Sequence, residues 1–115
     1  MSLRIEKVNA ELRRQIMQII QKEIDNPIVD FLSITRVETT RDLQESKVYF
    51  SMLEESKYGK AQEILDRMNS LIRVKLAKKI KLKILPKLFF KPDDSIKYSV
   101  DIYQKLEELK EEDAE

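Results

Sequence analysis

A chain of 115 residues is about one domain, and 42% hydrophobic residues suffice for one compact core. It contains no Cys and no His, which excludes a disulfide framework, a thiolate nucleophile, a Cys-based zinc site and the commonest general base. The formal charge is only +1, no signal-peptide-like apolar region opens the chain, and no apolar run nears the roughly 18 residues of a membrane span.

In chain order, Ile5, Val8, Leu12, Ile16, Ile19, Ile20 and Ile24 recur at helical spacing. They predict an amphipathic helix over 4–25, ended by Asp25-Asn26-Pro27 because the residue before Pro avoids the α region. Phe31 to Thr40 is rich in β-branched residues and predicts a strand. Leu32 and Ile34 keep period two while Val37 falls out of phase, so a bulge is expected near Thr35-Arg36. Ser46, Val48, Phe50 and Met52 alternate with Lys47, Tyr49, Ser51 and Leu53 as a second, half-buried strand. The short link 41–45 makes the pair an antiparallel hairpin.

Residues 56–80 are helical again, with Ala61, Ile64, Leu65 and Met68 as one apolar stripe. Continued straight, that stripe carries Lys75 and Lys79, whose burial without partners is costly. Ile72, Leu76 and Ile80 define a second, rotated stripe. Two helices meeting at a kink are therefore predicted, with Asn69-Ser70 at the bend. A third strand is predicted over 82–90, running parallel to the first and made irregular by Pro86. Lys91 to Asp94 reads as a turn, and Ser95 caps a last helix bearing Ile96, Val100, Tyr103, Leu106 and Leu109. An acidic tail follows, expected to fray over about 111–115. The expected architecture is α+β, α-β-β-α-(kink)-α-β-α, with helices on one face of a three-stranded mixed sheet.

The sharpest chemical signal is charge segregation. Between Arg67 and Lys91 stand nine basic residues and no acidic one, so a chain of net +1 divides into a +9 window and a −8 remainder. Such a patch is the footprint of a phosphate-backbone partner. Arg73, Lys75, Lys78, Lys79, Lys81 and Lys83 are the candidate RNA contacts, as a ridge from the helix end to the strand start. Asn69 and Ser70 are candidates through backbone N–H groups offered to phosphate at the next helix start. Arg4, Lys7, Arg13 and Arg14 on the first helix read as a solvated face, with RNA contact as the second reading. Asp93-Asp94 reads as a helix N-terminus rather than a metal or acid–base pair. No catalytic group, cofactor or metal site is expected.

Several spaced fragments carry a resemblance. They are Asn26-Pro27, Val37-Glu38, Arg41-Asp42-Leu43 and Lys47-Val48-Tyr49, then Leu71-Ile72-Arg73, Leu85-Pro86-Lys87-Leu88-Phe89-Phe90 and Asp93-Asp94-Ser95. In this order and spacing they resemble the ribosome-binding factor A family over about residues 3–109. The resemblance implies a type II KH-like fold and a bacterial, cytoplasmic, non-enzymatic factor. It implies binding to the small (30S) ribosomal subunit and assistance to 16S rRNA maturation, near the rRNA 5′ end. Where the family has Ala-any-Gly at the kink, this chain has Met68-Asn69-Ser70. The expected state is a monomeric single domain, 1–115, without a membrane partner. The alternative is a protein-interaction module that docks a ribosomal or regulatory protein through the hairpin and the acidic C-terminal helix.

Overall fold

A computed structural model describes residues 3–94. The order is α1 (Leu3–Glu23), a 3-10 turn at Pro27–Phe31, β1 (Ser33–Thr39), β2 (Glu45–Ser51), a second 3-10 turn at Glu55–Lys57, α2 (Tyr58–Lys79) and β3 (Lys87–Pro92). The expected last helix and acidic tail lie outside the described residues. The α+β class and the mixed three-stranded sheet hold, with β2 central between β1 and β3.

β1 and β2 form the expected antiparallel hairpin, and the register slips between Ile34 and Arg36. Thr35 is thus the bulged residue. The slip lets both Ile34 and Val37 point into the core. Arg13 of α1 donates through Nε to the Ile34 carbonyl at 3.0 Å, which satisfies an acceptor beside the irregular ladder. Thr35 Oγ1 donates to the buried Asp93 carboxylate, and Asp93 N–H donates to Phe50 O at 2.8 Å. The bulge therefore ties the start of β1 to the end of β3.

β3 departs from expectation in two ways. It runs parallel to β2, hence opposite to β1, because the helical crossover that precedes it returns the chain beside β2. It also begins later. Pro86 is buried and has no N–H to give; Lys87 supplies the first donor, to Gln44 O at 2.9 Å. Residues 80–86 form a connection rather than strand, with Ile84 exposed. Lys91 and Pro92 extend β3 instead of forming a turn.

The expected kink is replaced by one uninterrupted α-helix of 22 residues. Two geometric facts explain it. Ala61, Leu65, Met68, Ile72 and Leu76 advance by steps of four, three, four and four, so the apolar stripe rotates by only about 60° along a straight helix. Lys75 sits at the edge of that drifting stripe. It keeps its stem half-buried and places its ammonium 3.8 Å from Glu23 at the end of α1, while Lys79 is exposed. Second, Gln62, Asn69 and Arg73 lie within about 40° of one another around a straight helix. All three donate to carbonyls on one side of the chain: Gln62 to Phe90 O at 2.8 Å, Asn69 to Leu88 O at 2.9 Å and Arg73 to Leu85 O at 3.1 Å. A bend at Asn69-Ser70 would break this row.

Both helices cover the same sheet face. Leu12, Ile16 and Ile20 of α1, Ile64, Leu65, Ile72 and Leu76 of α2, and Val48, Phe50, Leu88 and Phe90 of the sheet share one core. The other face carries Arg36, Glu38, Lys47, Tyr49, Lys87, Phe89 and Lys91.

Removing the Asn69 amide (N69A) strands the Leu88 carbonyl, and we expect a loss of about 1 kcal/mol in urea unfolding. Replacing Thr35 by Val removes a donor to a buried carboxylate, and about 1–3 kcal/mol of destabilisation is expected by the same measurement.

Candidate nucleic-acid interface

The basic window does not fold into one ridge. The helix end and the connection after it carry Lys78, Lys79, Lys81 and Lys83, all exposed. Lys87 and Lys91 belong to the outer sheet face, where they lie in register with Glu45 and Tyr49 of β2. The parallel strand forces this split, because alternate β3 residues must point away from the core.

Lys79 and Lys81 line an open groove of about 560 Å³ between the end of α2 and the start of α1. Arg4 and Lys7 of α1 line its opposite side, over apolar surface from Leu3, Val8, Ile80 and Leu82. Four cations thus converge where the sequence had placed two separate clusters. Glu11 is the acid on this lining. The Arg14 guanidinium grips both of its oxygens at 2.8 Å. That bond, with a second from Gln15, holds the Glu11 carboxyl below its ordinary range, so it stays ionised but already partnered. An anion entering the groove meets a net positive wall.

The remaining candidates serve other ends. Arg73 is half-buried and holds Leu85 O, and Asn69 holds Leu88 O. Inside a continuous helix there is no helix start at Asn69-Ser70, so the expected cradle of free backbone N–H groups does not form. Ser70 is exposed, about 80° around the helix from Lys78. Lys75 belongs partly to Glu23. Arg13 and Arg14, basic residues of α1, hold Ile34 O and Glu11.

On the hairpin, Arg36 stacks 4.0 Å over the Tyr49 ring, bonds Glu38 at 2.9 Å and lies 3.8 Å from Asp93. Arg36 thereby covers one face of the Tyr49 ring. Asp42 accepts from the Thr40 hydroxyl at 2.6 Å and from Gln44 N–H at 3.2 Å. These two bonds, the hydroxyl's first, lower its pKa, so Asp42 fixes the turn as an anion. Among the described residues no group of His, Cys, Asp or Glu could hold a metal ion, and no helix is long and apolar enough to cross a membrane.

Sequence reasoning missed Arg4 and Lys7 as groove residues. The excess of Arg4, Lys7, Arg13 and Arg14 over Glu6 and Glu11 was visible, but the partner wall is contributed from more than seventy residues away.

Comparison with known proteins bears on this geometry. The chain is 39% identical over 110 residues to a ribosome-binding factor A of Macrococcus caseolyticus, covering 95% of this chain and 96% of that protein. It is 34% identical over 113 residues to the one of Staphylococcus epidermidis, covering 97% of each. Among solved structures, the Thermotoga maritima protein TM0855, a putative ribosome binding factor A, superposes with a TM-score of 0.72 at 26% identity, over 81% of this chain and 90% of that one. A Thermus thermophilus ribosome binding factor A homology model, fitted into a cryo-EM map of a 30S complex, superposes at 0.65 and 26% identity over 75% of this chain and 91% of that one. The family model for Ribosome-binding factor A matches residues 4–106, and the chain belongs to that family.

Proposed function

We propose that this protein binds the small ribosomal subunit and assists maturation of 16S rRNA, near its 5′ end, by occupying an rRNA conformation rather than by catalysis. The observation that carries the reading is the convergence of Arg4, Lys7, Lys79 and Lys81 on one groove, extended by exposed Lys78 and Lys83. The family membership supports it, as does the 30S complex into which the Thermus homology model was fitted.

Lysine and arginine on such a track contact phosphates and release counterions. Base-reading side chains are few here, so discrimination comes from rRNA shape. In this reading Lys78, Lys79, Lys81 and Lys83 touch RNA, with Lys75 at the margin. Arg73 acts indirectly, by holding Leu85 O in the connection that carries Lys81 and Lys83, whereas Asn69 holds β3 at Leu88 O and lies off the track. Ser70 lies off the track. The protein works in the cytoplasm, as a single domain and a monomer, with a bound state that persists until the rRNA rearranges.

The test is binding to purified small subunits across a salt series. About 4–7 phosphate contacts predict a log–log slope near −3 to −5. Reversing Lys78, Lys79 and Lys81 to Glu should weaken binding strongly and flatten the slope. Unchanged binding by that variant would sink the proposal. Arg4→Glu with Lys7→Glu should flatten the slope as well, because the groove has two walls. Reversing Lys87 and Lys91, on the other face, should leave the slope nearly as it was.

A further inference from the structure

The groove between α1 and the end of α2 has a floor that phosphate binding does not need. Leu3, Val8, Ile80 and Leu82 give it apolar surface between the cations. Val8 and Ile80 also pack against the core. Leu3 is 67% exposed and Leu82 is half-buried, and neither belongs to the described core or to the hydrophobic residues packed on it. Ile84, two residues further along the connection, is 69% exposed. Single exposed apolar side chains are ordinary on a protein surface; apolar side chains gathered in one basic groove are a patch.

The connection that supplies one wall is held at both ends. Ile80 N–H donates to Leu76 O at 3.0 Å, and Arg73 holds Leu85 O at 3.1 Å. Between these anchors Ile80, Lys81, Leu82, Lys83 and Ile84 alternate apolar and basic. A ligand entering the groove therefore pays little to order this wall.

The lining selects the occupant by two criteria at once. Its charge is four cations against Glu11, whose oxygens Arg14 already holds, so a polyanion is favoured. Its floor needs an apolar face as well. An A-form duplex turns phosphates and 2′-hydroxyls outward and hides its base faces in the stack, so it would meet the cations and leave the floor uncovered. A single strand offers both phosphate and base face. We propose that the groove takes an unpaired stretch of RNA, with phosphates on Arg4, Lys7, Lys79 and Lys81 and a base face against Leu3 and Leu82. This rests on the RNA reading above and narrows it. The floor accepts any base, so the groove reads whether a segment is unpaired rather than what its sequence is. Binding then lasts while the segment is open, and pairing of that segment removes the base face and weakens the hold.

The experiment follows the full-length protein by fluorescence anisotropy, with a short unstructured RNA strand and with the duplex that the strand forms with its complement, each across a salt series. The strand should bind about tenfold or more tighter than the duplex. In the double variant Leu3→Ser with Leu82→Ser, affinity for the strand should fall about tenfold while the log–log salt slope holds, because the lost contacts carry no charge. Duplex binding and the urea midpoint of that variant should stay at wild-type values. Reversing Lys78, Lys79 and Lys81 to Glu should weaken both RNAs and flatten both slopes. Equal binding of strand and duplex, or a floor variant that binds the strand as wild type does, overturns this inference alone, provided the charge reversal still weakens binding. Charge reversal without effect overturns the RNA reading and this inference together. A Leu-bearing acidic peptide that binds as tightly as the strand and loses affinity in the floor variant also overturns the inference, since the occupant is then a polypeptide.

Discussion

The row Gln62, Asn69 and Arg73 is the constraint on which the molecule's shape depends. β3 pairs with the sheet on one side only, and its other edge would leave carbonyls unpaired. Three side chains of α2 accept that task, reaching Phe90, Leu88 and Leu85 in turn. The row demands a straight helix. A straight helix in turn delivers its last residue, Lys79, to the start of α1, and sends the connection carrying Lys81 along the same wall. A tether on the sheet edge thus fixes where the cations stand.

Electrostatics then becomes a matter of position rather than of total charge. A net charge of +1 is compatible with a strongly polarised surface because the acids are placed elsewhere. Some of them restrain the fold: Glu11 grips Arg14, Glu38 grips Arg36, and Asp93 receives Thr35. The exposed Arg14–Glu11 and Arg36–Glu38 pairs contribute little to stability, so their arrangement matters more for what approaches the surface than for holding it together.

Much of the fold was legible because its signals are local. The Ile and Leu spacing of α1, the period-two pattern of β2 and the phase slip at Thr35 each follow from backbone geometry over a few residues. The resemblance to the family, carried by spaced fragments, was legible as well. The kink was not real, because the inference treated a buried stripe as fixed in azimuth. Spacings of four let the stripe drift, and Glu23, remote in sequence, receives Lys75 at the margin. The direction of β3 was misread for a related reason: pairing partners are chosen by tertiary packing, which period-two patterns do not encode. Asn69 looked like a turn residue by propensity, yet its amide serves an edge strand nineteen residues on. The groove required α1 and the end of α2 together, and nothing local links Arg4 to Lys81.

The sealed edge also bears on the order in which the chain can assemble. During synthesis the hairpin and α1 emerge before α2, and β3 emerges after it. β3 finds a ladder partner in β2 only across the whole helical crossover, a closure of long sequence separation that is slow compared with hairpin formation. Until it docks, Gln62, Asn69 and Arg73 have no carbonyls to bind. The connection bearing Lys81 and Lys83 is then anchored at its helical end alone. The basic wall is therefore completed late, when the last strand locks. A nascent or partly folded chain carries the same charges without the finished groove, so the charge and its shaped presentation are separated by a single folding step.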